Sequence, residues 1–455
     1  MMKRIFYIFA IFLSGVLTAC IEDGFDTRPS AQPSFSVDEL DMGVQFTENP
    51  SPTAMLMVYN RNSKQINLSS VRLRDGALFR INVDGQSGRD FADVEIRPND
   101  SIYVFVECTL PPTPTAEPIE MSDWIDVVTN GVTRSVAVKA LAQNVVRHRD
   151  ETVSGSAVWS AEMPHVIFDT LRVAPGATLT LRAGTSLLFH DKAALKVEGT
   201  LIAEGAADAP VRMRGDRTGN VVADISYDVM SNQWHGVIFA RGSVANRLSH
   251  TEIVNTTDGV LLDSLVDLRL ENCRIHNSGS TLIAARGGSK ILSLGSELSN
   301  AASALLIAEG GDFQFHRSTL ANWYLFKWPD MAIVEFLDTE KTHAEFVNSI
   351  IYGRDTPVGK YSETPETADV WFRRVCFDVE GKDYARFIGC LWETDPLLDF
   401  DLKKYTFDYL PLPDSPVLTA ADPALDHPEL PATDRHGRER GAVLGAYAPA
   451  PPAAD

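Results

Sequence analysis

The chain has 455 residues, 41 of them Lys or Arg and 61 Asp or Glu, for a formal charge of −20. With 44% hydrophobic and 22% charged residues it has the balance of a folded protein, and its length allows about two to four domains. So acidic a chain is repelled by phosphate backbones, which argues against a nucleic-acid partner, while 30 Gly and 25 Pro point to a turn-rich, mostly β fold.

Residues 1–19 carry Lys3 and Arg4, no acid, and an apolar run from Ile5 to Leu13. A charged stretch followed by so short an apolar segment reads as a secretory signal rather than a spanning helix. It ends in Leu17-Thr18-Ala19-Cys20, which resembles the lipobox of bacterial lipoproteins. The resemblance implies cleavage before Cys20 and acylation of its thiol and new amino group. Two or more acyl chains make a stable anchor in a lipid bilayer. Glu22, Asp23 and Asp26 follow in a segment, 20–34, read as an acidic and Pro-rich tether. It resembles the signal that sends some lipoproteins to the outer face of the outer membrane; a plain solvated tether accounts for it equally. Cys108, Cys273, Cys376 and Cys390 show no metal-binding spacing. Cys376 and Cys390 are near enough in sequence to pair, but buried free thiols are the expected state.

Residues 35–146 alternate apolar and polar in short runs such as Met55–Tyr59, Ile102–Val106 and Val136–Val138. Asn130-Gly131 suits a two-residue hairpin turn, and the four prolines between Thr109 and Pro118 suit an exposed loop. This predicts an Ig-like β-sandwich, with a spacer role.

From residue 152 to 447 the pattern becomes periodic. Ile253 precedes Asn255, Ile275 precedes Asn277, Leu298 precedes Asn300 and Leu320 precedes Asn322, at spacings of 22, 23 and 22 residues. Asn348–Gly353 repeats Asn272–Asn277 after an insertion. A period near 22 without helical patterning is one coil of a parallel β-helix, with aliphatics stacked inside and Asn or Gly at the tight turns. About eleven coils are expected, spanning roughly 50 Å at one strand spacing per coil. Residues 448–455 read as an unstructured Pro/Ala tail.

Gly199-Thr200-Leu201-Ile202-Ala203, Trp234-His235-Gly236-Val237-Ile238-Phe239 and the closing Asp434-Arg435-His436-Gly437-Arg438 resemble the right-handed parallel β-helix proteins of the pectin-lyase-like superfamily. That resemblance covers about two thirds of the chain. It implies the fold, and it raises polysaccharide cleavage as an activity to test.

Asn255-Thr256-Thr257-Asp258-Gly259 is similar to a polygalacturonase motif with one extra Thr, making Asp258 the one candidate catalytic residue. The family's other motifs are broken: Trp234-His235-Gly236 lacks the first Gly and Arg274-Ile275-His276 ends in His. A turn-capping role for Asp258 is the weightier reading. Asp258, Asp263 and Asp267, with Glu252, are the candidates for calcium, the one cofactor considered; solvated turn acids explain them as well. His190, His235, His250, His276 and His316 have no ligand spacing and are expected at the surface. Trp323, Tyr324 and Trp328 are the candidate binding aromatics, although core packing is the weightier reading. Arg214-Gly215-Asp216 spells an adhesion tripeptide, which the family's Gly-Asp-Arg pattern explains without a receptor.

The expectation is a lipid-anchored protein of the outer membrane, exposed at the cell surface, whose β-helix presents a non-enzymatic binding face to a glycan or protein partner. A polysaccharide lyase or glycosidase with a diverged site is the alternative, and an envelope scaffold the third reading.

Overall fold

A computed structural model describes residues 24–217, 219–222, 225–354, 356–359 and 368–449. Residues 1–23, with the signal-like segment, Cys20, Glu22 and Asp23, lie outside the described residues, as does the tail from 450. The structure is all-β and divides into two compact units, residues 1–144 and 145–455.

The first unit is a sandwich. One sheet orders Ser34–Phe35, Ala54–Asn60, Asp100–Cys108, Phe79–Val83 and Gln86–Gly88. The other orders Glu39–Phe46, Val132–Gln143, Ile119–Thr129, Ile66–Leu73 and Asp90–Phe91. Alternation decides which side chains enter the core: Leu56, Val58, Val104 and Val106 are buried while Met55, Tyr103 and Phe105 face out. Asn130 and Gly131 take φ of 52° and 77° between paired Thr129 and Val132, as a two-residue hairpin turn requires. Phe25 to Ala31, read as part of a tether, are held on the sandwich instead. The Asp26 amide donates to the Gln65 carbonyl at 2.7 Å, Asp26 pairs with Arg28 at 2.5 Å, and Ala31 is buried.

The second unit is a parallel β-helix of three sheets, here called A, B and C. Sheet A has ten strands from Val146–His148 to Cys376–Phe377, sheet B nine from Thr152–Val153 to Val358–Gly359, and sheet C ten from Ser156–Trp159 to Phe387–Ile388. The periodic aliphatics form one interior ladder in sheet A, pairing in register as Met213, Ile253, Ile275, Leu298, Leu320, Ile351 and Phe377. Asn255, Asn277 and Asn300 take φ of 65°, 64° and 54° at the corner leaving sheet A, a left-handed conformation that Asn tolerates. Inside sheet C, Phe315, Phe346, Phe372 and Phe387 stack at successive centroid distances of 4.9, 5.1 and 4.8 Å. Each such ring contributes about 2 kcal/mol through its burial. Gly236 shows how tightly the coils stack: at φ 127°, an added Cβ would lie 2.0 Å from the Gly259 carbonyl oxygen.

Among the described residues the sheets reach ten strands, in keeping with about eleven coils, and the chain leaves the coil path at two places. Between the sheet A strand ending at Gly215 and the sheet B strand beginning at Gly236, the described residues hold the small strand pair Asn220–Val222 and Ile225–Ser226 and a 3₁₀ turn at Tyr227–Val229, and residues 323–333 form a second excursion. From Asp395 the described residues add no further rung. The chain runs back over the outer face of sheet A as a strap, containing the hairpin Leu398–Asp401 and Thr406–Pro411. Its Phe407, Tyr409, Val417, Leu444 and Tyr447 pack on Ala321, Ile350, Tyr352 and Cys376 of sheet A.

Candidate functional site

The outer face of sheet A carries two rows of side chains, fixed by the parallel register. One runs Arg212, Glu252, Arg274, Glu297, Thr319, Ile350; the other runs Val254, His276, Ser299, Ala321, Tyr352. Alternating charge along the first row neutralises like-charge contacts between neighbouring strands. Arg212 Nε donates to Glu252 at 3.1 Å and Arg274 Nε to Glu297 at 3.0 Å.

The strap covers only part of this face. Glu297, Ser299, Thr319, Ala321 and Ile350 are completely or almost completely buried. Before them lies a cleft of about 400 Å³, floored by Arg212, Arg214, Glu252, Val254, Arg274 and His276. One wall is the first excursion, with Ser226, Asp228 and Val229; the other is the hairpin tip of the strap, Lys404 to Asp408. The cleft ends against Phe407, whose carbonyl accepts a hydrogen bond from Arg274 Nη2 at 2.8 Å and whose ring lies 5.7 Å from that of His276. Arg214 pairs with Asp228 at 2.5 Å, and Glu252 also receives Arg435 from the strap. Burial works against the charged form of Glu252, yet Arg435, Arg212 and Arg274 together hold its carboxyl below the usual range.

His276 sits at the floor of this cleft and is not a surface imidazole. Ser299 Oγ lies 2.7 Å from its Nδ1 and donates its single proton to Glu297 Oε1, so the hydroxyl must accept from Nδ1–H. The neutral ring is therefore the Nδ1–H tautomer, with the Nε2 lone pair left to the cleft. Burial, with the Arg274 and Arg435 cations, pushes its pKa well below the ordinary value and keeps it neutral. Glu297 is held in turn by the Tyr447 hydroxyl.

The carboxylates proposed for calcium are not brought together. Glu252 lies on sheet A, Asp258 at the turn into sheet B, Asp263 just after the sheet B strand, and Asp267 on sheet C, so one coil carries them around the barrel. Asp263 is capped by the Ser264 amide at 2.7 Å. Among the described residues no group of three or more His, Cys, Asp or Glu is placed to hold a metal. Asp258 is a surface residue 3.0 Å from His235 Nδ1, away from the cleft-lining residues. His190 pairs with Asp216 at 2.7 Å, and His250 is half-buried beside Asn272. His316 is buried with both ring nitrogens unpartnered, which corrects its surface assignment. The Arg214-Gly215-Asp216 tripeptide ends a strand of sheet A, with Arg214 and Asp216 both paired, so it is not a presented loop.

The aromatic run divides. Tyr324 is buried, its hydroxyl 2.7 Å from Ser231 Oγ, and Trp323 packs on Tyr352 and Phe400. Trp328 is 65% exposed and Phe326 52% exposed, with the Arg354 guanidinium 5.5 Å from the rings of both Trp323 and Trp328. The four described cysteines are free thiols: Cys108, Cys273 and Cys376 are buried and Cys390 is partly so. Sequence reading missed Arg212, Arg214, Arg274 and Lys404 as site residues. The available signal was the charge alternation of Glu252, Arg274 and Glu297 at the coil period.

No known protein-family model and no curated protein matches this chain. Among solved structures, one likeness is to a family 123 glycoside hydrolase from Clostridium perfringens, described in a study of glycolipid glycan hydrolysis. It has a TM-score of 0.19 and 12% identity, and covers 28% of this chain and 30% of that one. The chain thus spans under a third of that structure, and a likeness so slight bears on neither fold nor activity.

Proposed function

We propose that the protein is a lipid-anchored component of the outer membrane, facing the cell surface, whose β-helix binds a glycan without cleaving it. The cleft over sheet A carries this reading. It is concave, of ligand size, and lined by convergent polar side chains on a rigid sheet. The anchor is supported by Leu17-Thr18-Ala19-Cys20 and the export side by the acidic residues after it. Cys20→Ala should move the protein from the membrane to the soluble fraction; retention in the membrane would contradict the anchor. For the cleft, the protein is incubated with plant, host and bacterial polysaccharides, with and without calcium. Binding without new reducing ends is expected.

A catalytic reading rests on one observation, the Glu297–Ser299–His276 chain that fixes the Nδ1–H tautomer and leaves Nε2 to accept a hydrogen bond from a substrate hydroxyl. Release of reducing ends, abolished by His276→Asn, would replace binding with cleavage as the function of the same cleft.

A further inference from the structure

The cleft is blind at one end and open at the other. Past Arg274 and His276 the two rows continue as Glu297 and Ser299, both fully buried beneath the strap. In the other direction they continue over Ser186 and Leu188, which remain partly exposed. A polymer lying along sheet A therefore cannot pass the Phe407 wall. Only a chain terminus can reach the floor.

The floor is also cationic relative to the rest of the molecule. Arg212, Arg214, Arg274 and Lys404 face Glu252, Asp228 and Asp408, one positive charge in excess within a chain whose overall charge is −20. The acids are already engaged: Asp228 by Arg214, and Glu252 by both Arg212 and Arg435. Arg212 spends Nε on Glu252 and Arg274 spends Nε and Nη2 on Glu297 and Phe407, so terminal guanidinium N–H groups remain for a ligand anion. His276 Nε2 adds an acceptor beside these donors, matched to a sugar hydroxyl.

We infer that this cleft is a terminal-unit site, which captures the end of a glycan chain through an acidic substituent on its last sugar. The inference rests on the glycan-binding reading above and names its ligand class. The anion, a carboxylate or a sulfate ester, is held by Arg212 and Arg274, and a neighbouring hydroxyl donates to His276 Nε2. The chain leaves over Ser186 and Leu188.

The test uses the full chain in detergent on a glycan array that presents each backbone in four forms: neutral, terminally carboxylated, terminally sulfated and internally acidic. Terminally acidic forms should bind at least tenfold more tightly than neutral or internally acidic ones, and the two terminal arms identify the anion. Arg212→Gln, at a largely exposed side chain, should cut that binding at least tenfold with an unchanged urea midpoint. Binding that ignores charge, or that favours internal acids, would overturn the terminal-unit site while leaving glycan binding standing. Failure of every form would overturn both. Wild-type affinity in Arg212→Gln would place the ligand elsewhere.

Discussion

The Tyr447 hydroxyl donates to Glu297 Oε2 across 150 residues of sequence. This contact joins the end of the strap to the charged row of sheet A, and through Ser299 to the imidazole on the cleft floor. Glu297 is fully buried, so each donor it keeps offsets desolvation of its carboxylate. Tyr447→Phe should cost about 2 kcal/mol, the value of a hydrogen bond to a buried charged group. Urea unfolding measures the loss, and faster hydrogen exchange confined to residues 430–448 would locate it in the strap. An unchanged midpoint would show that Arg274 and Ser299 satisfy Glu297 without the tyrosine.

A second clasp is Arg317, 1% exposed, which donates from Nε and Nη2 to Asp426, each at 2.7 Å. Asn348 also donates to Asp426 at 2.7 Å. Asp426→Ala leaves a buried guanidinium without its counter-ion and should cost about 3–5 kcal/mol in urea unfolding. A loss below about 1 kcal/mol would mean that the Gly441 and Val443 carbonyls hold Arg317 unaided.

Stability should fall with acid below neutrality, because burial keeps several histidines neutral, His276 among them, and two of these, His316 and His165, define a window. Burial lowers the pKa of His316 and of His165 to about 4, with His427 and His148 respectively adding to the effect. An unfolded chain protonates these rings near the ordinary value of 6.5, so between about 6.5 and 4 the unfolded state binds more protons. Stability is then complete above about 6.5 and declines as pH falls toward 4, by up to about 1.4 kcal/mol per pH unit for each ring. Because neither ring nitrogen of His316 has a partner, His316→Leu removes the titration without breaking a hydrogen bond. Its urea midpoint should fall less than the wild type's between pH 7 and pH 4.5; parallel falls would clear His316 of any role.

The excursion at 323–333 offers a matched pair of aromatic substitutions. Trp323, wedged between Tyr352 and Phe400, should cost about 3 kcal/mol when cut to Ala. Trp328→Ala should change stability by less than about 0.5 kcal/mol, since most of the ring is in solvent. If Trp328→Ala also weakens glycan binding, the exposed ring extends the ligand surface; equal destabilisation by both variants would show that Trp328 belongs to the core.

The coil was legible because its physics is local and repeated. Ile253, Ile275, Leu298 and Leu320 announced the interior ladder by their spacing, and Asn255, Asn277 and Asn300 announced the left-handed corner. The cleft was not legible, because it depends on what covers sheet A and where that cover stops. One signal was there: residues 395–448 hold seven prolines in 54 residues against six in the 250 before them, which argues against further ladder strands but does not say which face the segment covers. Asp258, Asp263 and Asp267 misled for the converse reason. Neighbours in sequence travel around the barrel, and only residues a full period apart share a face. Arg212 was hidden by the excursion after Asp216, which stretches its spacing to Glu252 to 40 residues and breaks the period.

The strap sets an order of events. It is translated after every rung it grips, and its partners Asn272, Glu297, Arg317 and Asn348 share one face only once the coils between them have stacked. Such distant pairings form late, because loop closure precedes their reward. The wall at Phe407 is thus among the last surfaces to arise. A chain stalled at an earlier stage would have a barrel with no blind end, and capture of ligand would report completed folding.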